Sequence, residues 1–557
     1  MRLNLLGRLA VVLVLAGSSA SMSAGENTLI SAIRQSDAAQ VRRLIQQHAD
    51  VNASDLDGTT ALHWAVQRDQ VEVVSVLLGS GANAVASNRY GISPLLVACE
   101  IGNVEIIDRL LRAGADANST TPAGETALMI AARTGKVPAV KRLVAAGADI
   151  NAVETVRGQT ALMWAAAADN LEVTSVLLEG GAHVDARSPA GFTALHFAVR
   201  AGNTAVVKAL VERGAKVNDP IQPAAAARPG APATRPSGAA QTATGAPAPG
   251  PARPAGVTAP GPQAPAAPNA GVSQLLQVYN SGSRGGRGGI GGTSPLLLAI
   301  TNAHFELASE LLDLGANPNA DGQGWTALHQ LAWTRRPPIQ HGLPSPVASG
   351  NVTSLALAEK LLQYGADPNM RMTREPADGA RNILNRIGST PFLQAAKLAD
   401  IPFMTLLLDY GADPSITTAE GATPLMAAAG VGLWQVGENP GTNEEAFEAV
   451  KISRAHGNPV DAVDANGDTA LHGAAHRGAN DIVAFLVAEG AKLDVVNVIG
   501  WTPLTIAHGV LYPNTFNRHL DTEALLLKLG ANPKAGKPRP EDLAPGDVGS
   551  IGLAGLR

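Results

Sequence analysis

The feature that most constrains this chain is a period. A Thr-(Ala or Pro)-Leu-His-like tetrad recurs with its leucine at Leu62, Leu95, Leu128, Leu162 and Leu195, at spacings of 33, 33, 34 and 33 residues. It resumes at Leu296 and Leu328, then Phe392, Leu425, Leu471 and Leu504, and a degenerate first copy puts Leu29 in register. A second anchor, Gly-Ala most often followed by Asp or Asn, runs through Gly81, Gly114, Gly147, Gly181 and Gly214. It returns at Gly315, Gly365, Gly411, Gly490 and Gly530. The two anchors together mark twelve units. A period of this length means a stack of small supersecondary units, none of which can bury its own apolar face alone.

Each unit has a local logic. Thr60 is placed as an N-cap, its hydroxyl able to satisfy a free backbone N–H of the helix it opens. The next residue is Ala, or Pro as in Pro94, Pro295, Pro391, Pro424 and Pro503, and proline suits the first helical position. Leu62, Trp64 and Ala65 make the apolar stripe of a short first helix. Val71, Val73, Val74, Leu77 and Leu78 line a second, which Gly81 ends in the left-handed conformation that other residues avoid. A turn such as Asp57-Gly58 separates one unit from the next tetrad and is short enough for a β-hairpin finger.

These residues resemble the ankyrin repeat, a 33-residue turn-helix-helix unit with this tetrad. Gly58-Thr59-Thr60-Ala61-Leu62-His63-Trp64-Ala65 and Gly191-Phe192-Thr193-Ala194-Leu195-His196-Phe197-Ala198 are close matches. The resemblance covers nearly all of 26–218 and 291–533. It implies an all-α ankyrin-repeat solenoid of about twelve helix-turn-helix units with short β-hairpin fingers. It also implies that first helices and fingers line a concave face used to bind protein partners, and that the tetrad histidines (His63, His196, His329, His472) hold turns by hydrogen bonding.

Five segments follow: a leader at 1–24, repeats one to six at 25–218, a Pro/Ala/Gly-rich insert at 219–290, repeats seven to twelve at 291–533 and a tail at 534–557. In the leader, Arg2 and Arg8 precede the unbroken apolar run Leu9 to Ala16, and small residues allow cleavage after Ala20 or Ala24. That pattern is a signal peptide, too short for a permanent span, and it predicts a periplasmic or secreted, bacterial-type protein. The first copy suits a solvent cap, since Arg42, Arg43, Gln46 and Gln47 stand where later units carry Val and Leu.

The insert holds 13 of the 37 prolines between Pro220 and Pro268, with Ala and Gly filling most gaps and no aromatic residue until Tyr279. Such a composition predicts disorder. Closing a loop of that size costs roughly 4 kcal/mol beyond a constant, whereas burying on the order of 400 Å² between neighbouring units returns about 10 kcal/mol. Val206, Val207, Leu210 and Leu296 to Leu298 are poor material for exposed caps. The expectation is one continuous array with an extruded loop. Residues 333–353, 430–445 and 508–520 lengthen connections inside units, and 370–386 lengthen a finger. Long loops on a regular scaffold often concentrate binding.

The composition argues against several chemistries. A net charge of −5 over 557 residues asks for neither nucleic acid nor an anionic membrane. Cys99 is the single cysteine, so it forms no internal disulfide and reads as a small buried hydrophobe. His472 and His476 stand four apart, but Gly473 follows where a zinc protease needs Glu. Arg284-Gly-Gly-Arg287 is a weak RNA-binding pattern without interleaved aromatics. Asp464 and Asp494 recur at turn positions. The expectation is a monomeric, non-catalytic scaffold with no cofactor, no metal and no membrane span, binding an unidentified protein. The alternatives are an enzyme built from the long loops, using His341, His508 or His519 with Glu444 or Asp521, and a cell-envelope structural role.

Only 3% of the chain is aromatic, so each ring is informative. Trp64, Trp164 and Phe197 follow the tetrad His or Met, where the family carries Leu, and read as core. Tyr90, Phe192, Trp325 and Trp501 fall on finger positions, and Trp333 near the end of a first helix. With Arg89 and Arg477 beside them they are the candidate partner-binding residues, because aromatic and arginine anchors dominate interfaces.

Overall fold

The computed structural model describes residues 28–223, 291–337, 347–376, 384–433, 441–509 and 518–536. The leader, the body of the insert from 224 to 290, the tail beyond 536 and His341 lie outside these residues. Among the described residues there are twenty-four helices, two per unit, from Thr28–Arg34 and Ala38–Gln46 to Pro503–Ala507 and Leu520–Lys528. First helices pack against first helices of neighbouring units, and second helices form an outer row. The tetrad leucine, or Phe392 in its place, is buried in all twelve units and joins one continuous apolar core. No described helix is long and apolar enough to cross a membrane.

The tetrad works as its residue types require. In repeat two, Thr60 sits extended at φ −84°, ψ 168° and its hydroxyl accepts the His63 N–H. The His63 ring returns the bond, Nδ1 accepting the Thr60 N–H at 3.2 Å. That fixes the proton on Nε2, which donates across to the Ile92 carbonyl of the next finger at 2.9 Å. His329 and His472 make the same bridges to Ser389 and Trp501. The histidine therefore closes its own helix and staples the next unit.

Fingers are hydrogen-bonded turns more than hairpins. Asp55 N–H reaches the Thr59 carbonyl at 2.9 Å and Gly58 N–H reaches that of Asp55 at 2.9 Å. Among the described residues, antiparallel pairing is reduced to the single bridges Ser54–Thr60 and Thr120–Thr126. Successive fingers are joined by backbone bonds, such as Arg89 N–H to the Asp57 carbonyl at 2.8 Å.

A ladder of asparagines runs along the base of the fingers. Asn118 donates to the Gly147 carbonyl at 3.2 Å and accepts the Asp149 N–H at 2.7 Å, reaching into the next unit with both ends of its amide. Asn52, Asn151, Asn319 and Asn369 repeat the arrangement.

The ladder does not stop at the insert. Asn218 donates to the Gly315 carbonyl at 2.9 Å and accepts the Asn317 N–H at 2.6 Å, across 97 to 99 residues of sequence. His304 Nε2 meets the Arg200 carbonyl at 3.1 Å, and helices Ala194–Ala201 and Pro295–Thr301 pack together. Ile221 N–H bonds the Thr293 carbonyl at 2.9 Å and its own carbonyl accepts Gly292 N–H at 2.8 Å. Residues 219–223, assigned by composition to the insert, thus belong to the finger of repeat seven, because buried Ile221 pairs with the returning chain.

Gly473 marks a place where the stack depends on a missing side chain. It stands where other units carry a side chain such as Trp64, Ile130, Phe197 or Leu298, yet a Cβ there would meet the Val431 backbone nitrogen at 2.4 Å and the Gly430 carbonyl carbon at 2.8 Å. Gly473→Ala, although alanine favours helix, is expected to destabilise by about 1–3 kcal/mol through overpacking. Chemical denaturation checks this, and an unchanged or raised midpoint would refute it.

Candidate functional face

The first helices and fingers present a common face, and its charge differs from that of the outer row. The twelve first helices carry six basic residues against one acid, Glu100: Arg34, Arg133 and Arg200 reach the surface, Arg335 is paired to Asp400, and Lys397 and Arg477 are buried. Acids outnumber bases on the outer helices. Apolar residues emerge at finger tips: Leu56 is fully exposed, Val156 largely so and Tyr90 partly.

Arg89 and Tyr90 act as one group at the third finger. The guanidinium lies 4.8 Å from the ring centroid and donates to the phenol oxygen at 2.5 Å. Phe192 is half-buried, 5.5 Å from Phe197, with Arg200 over both rings. Trp325 and Trp333 come together edge to face at 5.8 Å. Their indole N–H groups are held by Gln330 and Gln394, each at 3.1 Å. Arg386, ion-paired to Glu375 at 2.9 Å, caps Trp333 at 5.3 Å and pins the base of the long finger. Below this pair, Arg335 grips Asp400 with two bonds of 2.8 and 3.1 Å in a nearly dry setting.

Two of the sequence candidates are not on this surface. Trp501 is buried and its ring joins the core, while its backbone is spent on Asn497 and His472. Arg477 is also buried. It donates to Asn443 Oδ1 and the Gly441 carbonyl, both at 2.9 Å, and burial lowers its pKa. Both are withdrawn from the binding face: repeat position alone did not tell a finger that opens outward from one covered by its neighbour.

The loop residues considered for catalysis are scattered. His508 is buried 3.1 Å from Glu523, with Arg518 beside them. His519 Nε2 instead bonds the His476 carbonyl at 2.9 Å, matching His304 in the stacking contact it makes. Asp521 lies in the first turn of the last helix, and Glu444 in that of Asn443–Ala455, two repeats earlier. Among the described residues no group of three or more His, Cys, Asp or Glu is arranged to hold a metal. Cys99 is buried and its thiol pKa is pushed up by desolvation.

Sequence reasoning missed a set of arginines laid on the rings it assigned to the core. Arg34 stands over Trp64 at 4.2 Å and Arg133 over Trp164 at 5.8 Å, each arginine coming from the preceding unit. Trp64 and Phe197 are buried, but Trp164 is half-exposed. A visible signal was the single 34-residue spacing between Leu128 and Leu162, which lengthens the finger before Trp164.

Comparison with known proteins agrees with the geometry. Family models for ankyrin repeats match 4–88, 83–154 and 140–221 (three copies), 454–507 (many copies) and 291–322 (a single repeat). The B-cell lymphoma 3 protein homolog of Mus musculus is 29% identical over 241 residues, 43% of this chain and 45% of that protein. Ankyrin repeat and SOCS box protein 16 of Mus musculus is 30% identical over 219 residues, 39% and 47% of the respective chains. The chain thus spans about half the length of these curated relatives. The crystal structure of the ankyrin repeat domain of Bcl-3, described as a unique member of the IkappaB protein family, is 30% identical. It covers 35% of this chain and 89% of its own, with a TM-score of 0.33. With twelve stacked turn-helix-helix units and matches along both halves, the chain belongs to the ankyrin repeat proteins.

Proposed function

We propose that this protein is a non-catalytic scaffold of bacterial type, exported to the periplasm or beyond, that binds a protein partner on its finger-side face. The observation that carries this reading is the contrast in apolar exposure. Among the described residues, exposed large apolar side chains concentrate on the fingers, Leu56, Tyr90, Val156, Val463 and Val498 among them, and the Trp325–Trp333 pair is half-buried beside another finger, while the helices expose four, Val104, Leu171, Leu520 and Leu527. Exposed apolar groups gathered on one functional edge mark interaction sites. Export rests on the leader, Arg2 and Arg8 before Leu9 to Ala16.

Paired baits test the scaffold. The chain and its Tyr90→Ala/Trp325→Ala variant are immobilised and exposed to the exported fraction of the source cell. A protein retained by the native bait is expected to bind the variant about tenfold or more weakly, the size of a hot-spot loss. Equal retention by both would overturn the assignment of this face. Circular dichroism controls for folding. N-terminal sequencing of the mature protein tests export: a start at Ser21 or Gly25 supports it, and a start at Met1 refutes cleavage. The same measurement judges the family match that begins at residue 4, inside the leader.

A further inference from the structure

Trp64 and Trp164 occupy the same place in repeats two and five, each beneath an arginine of the preceding unit. At Trp64 the site is complete. Its indole N–H donates to the Asp55 carboxylate at 2.8 Å, so an acid from the chain's own finger sits beside the ring that Arg34 covers. The matching acid in repeat five is Glu154, and it points elsewhere. The finger there is one residue longer, and Glu154 turns into it to accept the N–H groups of Val156, Arg157 and Gln159 at 2.6 to 3.1 Å. The Trp164 indole N–H is left with no acceptor, although it is shielded from solvent. A shielded donor without a partner is costly, and a charged acceptor would relieve it.

We infer that Arg133 and Trp164 form a carboxylate subsite, filled by an aspartate or glutamate side chain of an acidic, extended segment of the protein partner. Asp55 beside Trp64 is the chain's own template for the occupied form. Arg133 is exposed at the rim and, among the described residues, its one ion pair is with Glu100, at 2.7 Å, so its guanidinium fork can take a second carboxylate as it swings off the ring. Arg34, Arg133 and Arg200, the first-helix cations at the surface of this half of the array, outnumber Glu100 and favour an acidic ligand on this face. Nucleic acid fits less well: the whole chain is net negative, and Glu100 interrupts the stripe. The inference deepens the scaffold reading and rests on it.

The probe is a fluorescein-labelled hepta-glutamate peptide, titrated at low salt into the full chain carrying ¹⁵N-labelled tryptophan. The Trp164 indole resonance is expected to move downfield while that of Trp64 stays in place. Arg133→Gln, a change at an exposed site, should weaken peptide binding about tenfold, as should Trp164→Phe, the loss of a charge-assisted hydrogen bond. Glu100→Gln should tighten it, since the competing carboxylate is gone, a gain that a merely structural role would not produce. A Trp164 indole unmoved at saturation, or peptide binding indifferent to Arg133→Gln, overturns the subsite. So does oligothymidylate shifting that indole in place of the peptide. A partner held equally by native and Arg133→Gln baits ends this inference and leaves the scaffold standing.

Discussion

Cleavage at a protease site engineered between residues 224 and 290 is expected to leave residues 28–223 and 291–536 together as one particle. The reason is the junction between repeats six and seven. Leu210, Val206 and Val207 are buried on one side, and Leu296, Leu307 and Leu311 on the other. The side chains of Asn218 and His304 and the backbone of Ile221 supply the hydrogen-bonded bridges that join ordinary neighbours elsewhere, and Lys208 pairs with Glu310 at 2.7 Å. In a repeat array, stability is a sum of units and nearest-neighbour interfaces, so a severed connection costs little if the interface is native. Leu311→Ala should then cost about 2–5 kcal/mol and promote separation of the cut halves. Size-exclusion chromatography with light scattering reads both results. Halves that part at micromolar concentration without any substitution would refute the junction.

Acid is expected to unfold the array well before most of its carboxylates matter. Burial lowers the pKa of His196, His329 and His472 to about 4, and that of His63 also falls. Geometry reinforces burial at His329, whose Nδ1 already accepts the Thr326 N–H at 3.3 Å and would oppose it if protonated. The unfolded chain titrates these rings near 6.5, so it binds more protons than the native state below that pH. Their contribution is therefore whole above pH 6.5 and is lost as pH falls toward 4, on the order of 3 kcal/mol for each strongly shifted ring. Asp464 works the other way. Burial and the neighbouring Asp468 raise it to about 6, so its protonation stabilises the fold as pH drops and offsets part of the loss in repeat eleven. Urea denaturation at pH 7.5, 5.5 and 4.5 should show falling stability. His329→Gln, less stable at pH 7.5, should show a shallower decline. An equal slope in both proteins would refute the assignment.

How much of this was legible without coordinates depends on whether a residue's role is local or shared. The tetrad, the caps and the left-handed glycine that closes most second helices follow from short-range backbone chemistry. Twelve units could therefore be counted from Leu29 to Leu504, and the histidines' turn-holding role followed from the family resemblance. The boundary of the insert was misplaced by five residues because Ile221 belongs to a finger only through Thr293, beyond seventy residues of intervening chain. Arg477 and Trp501 read as surface because Trp501 shares the finger position of Phe192 and Trp325 and Arg477 stands beside it at a helix end. The covering side chains come from Asn443 and from the core of the neighbouring units, which no single-unit pattern contains.

Periodicity alone thus established the architecture, since helix start, helix stop and apolar stripe are each set by residues a few positions apart. Stacking decided the rest: which ring at a recurring position stays open, which acid turns inward, and whether the halves meet across the insert. Those outcomes depend on distances between units, and one added residue in the finger before Trp164 changes them while leaving every local signal intact.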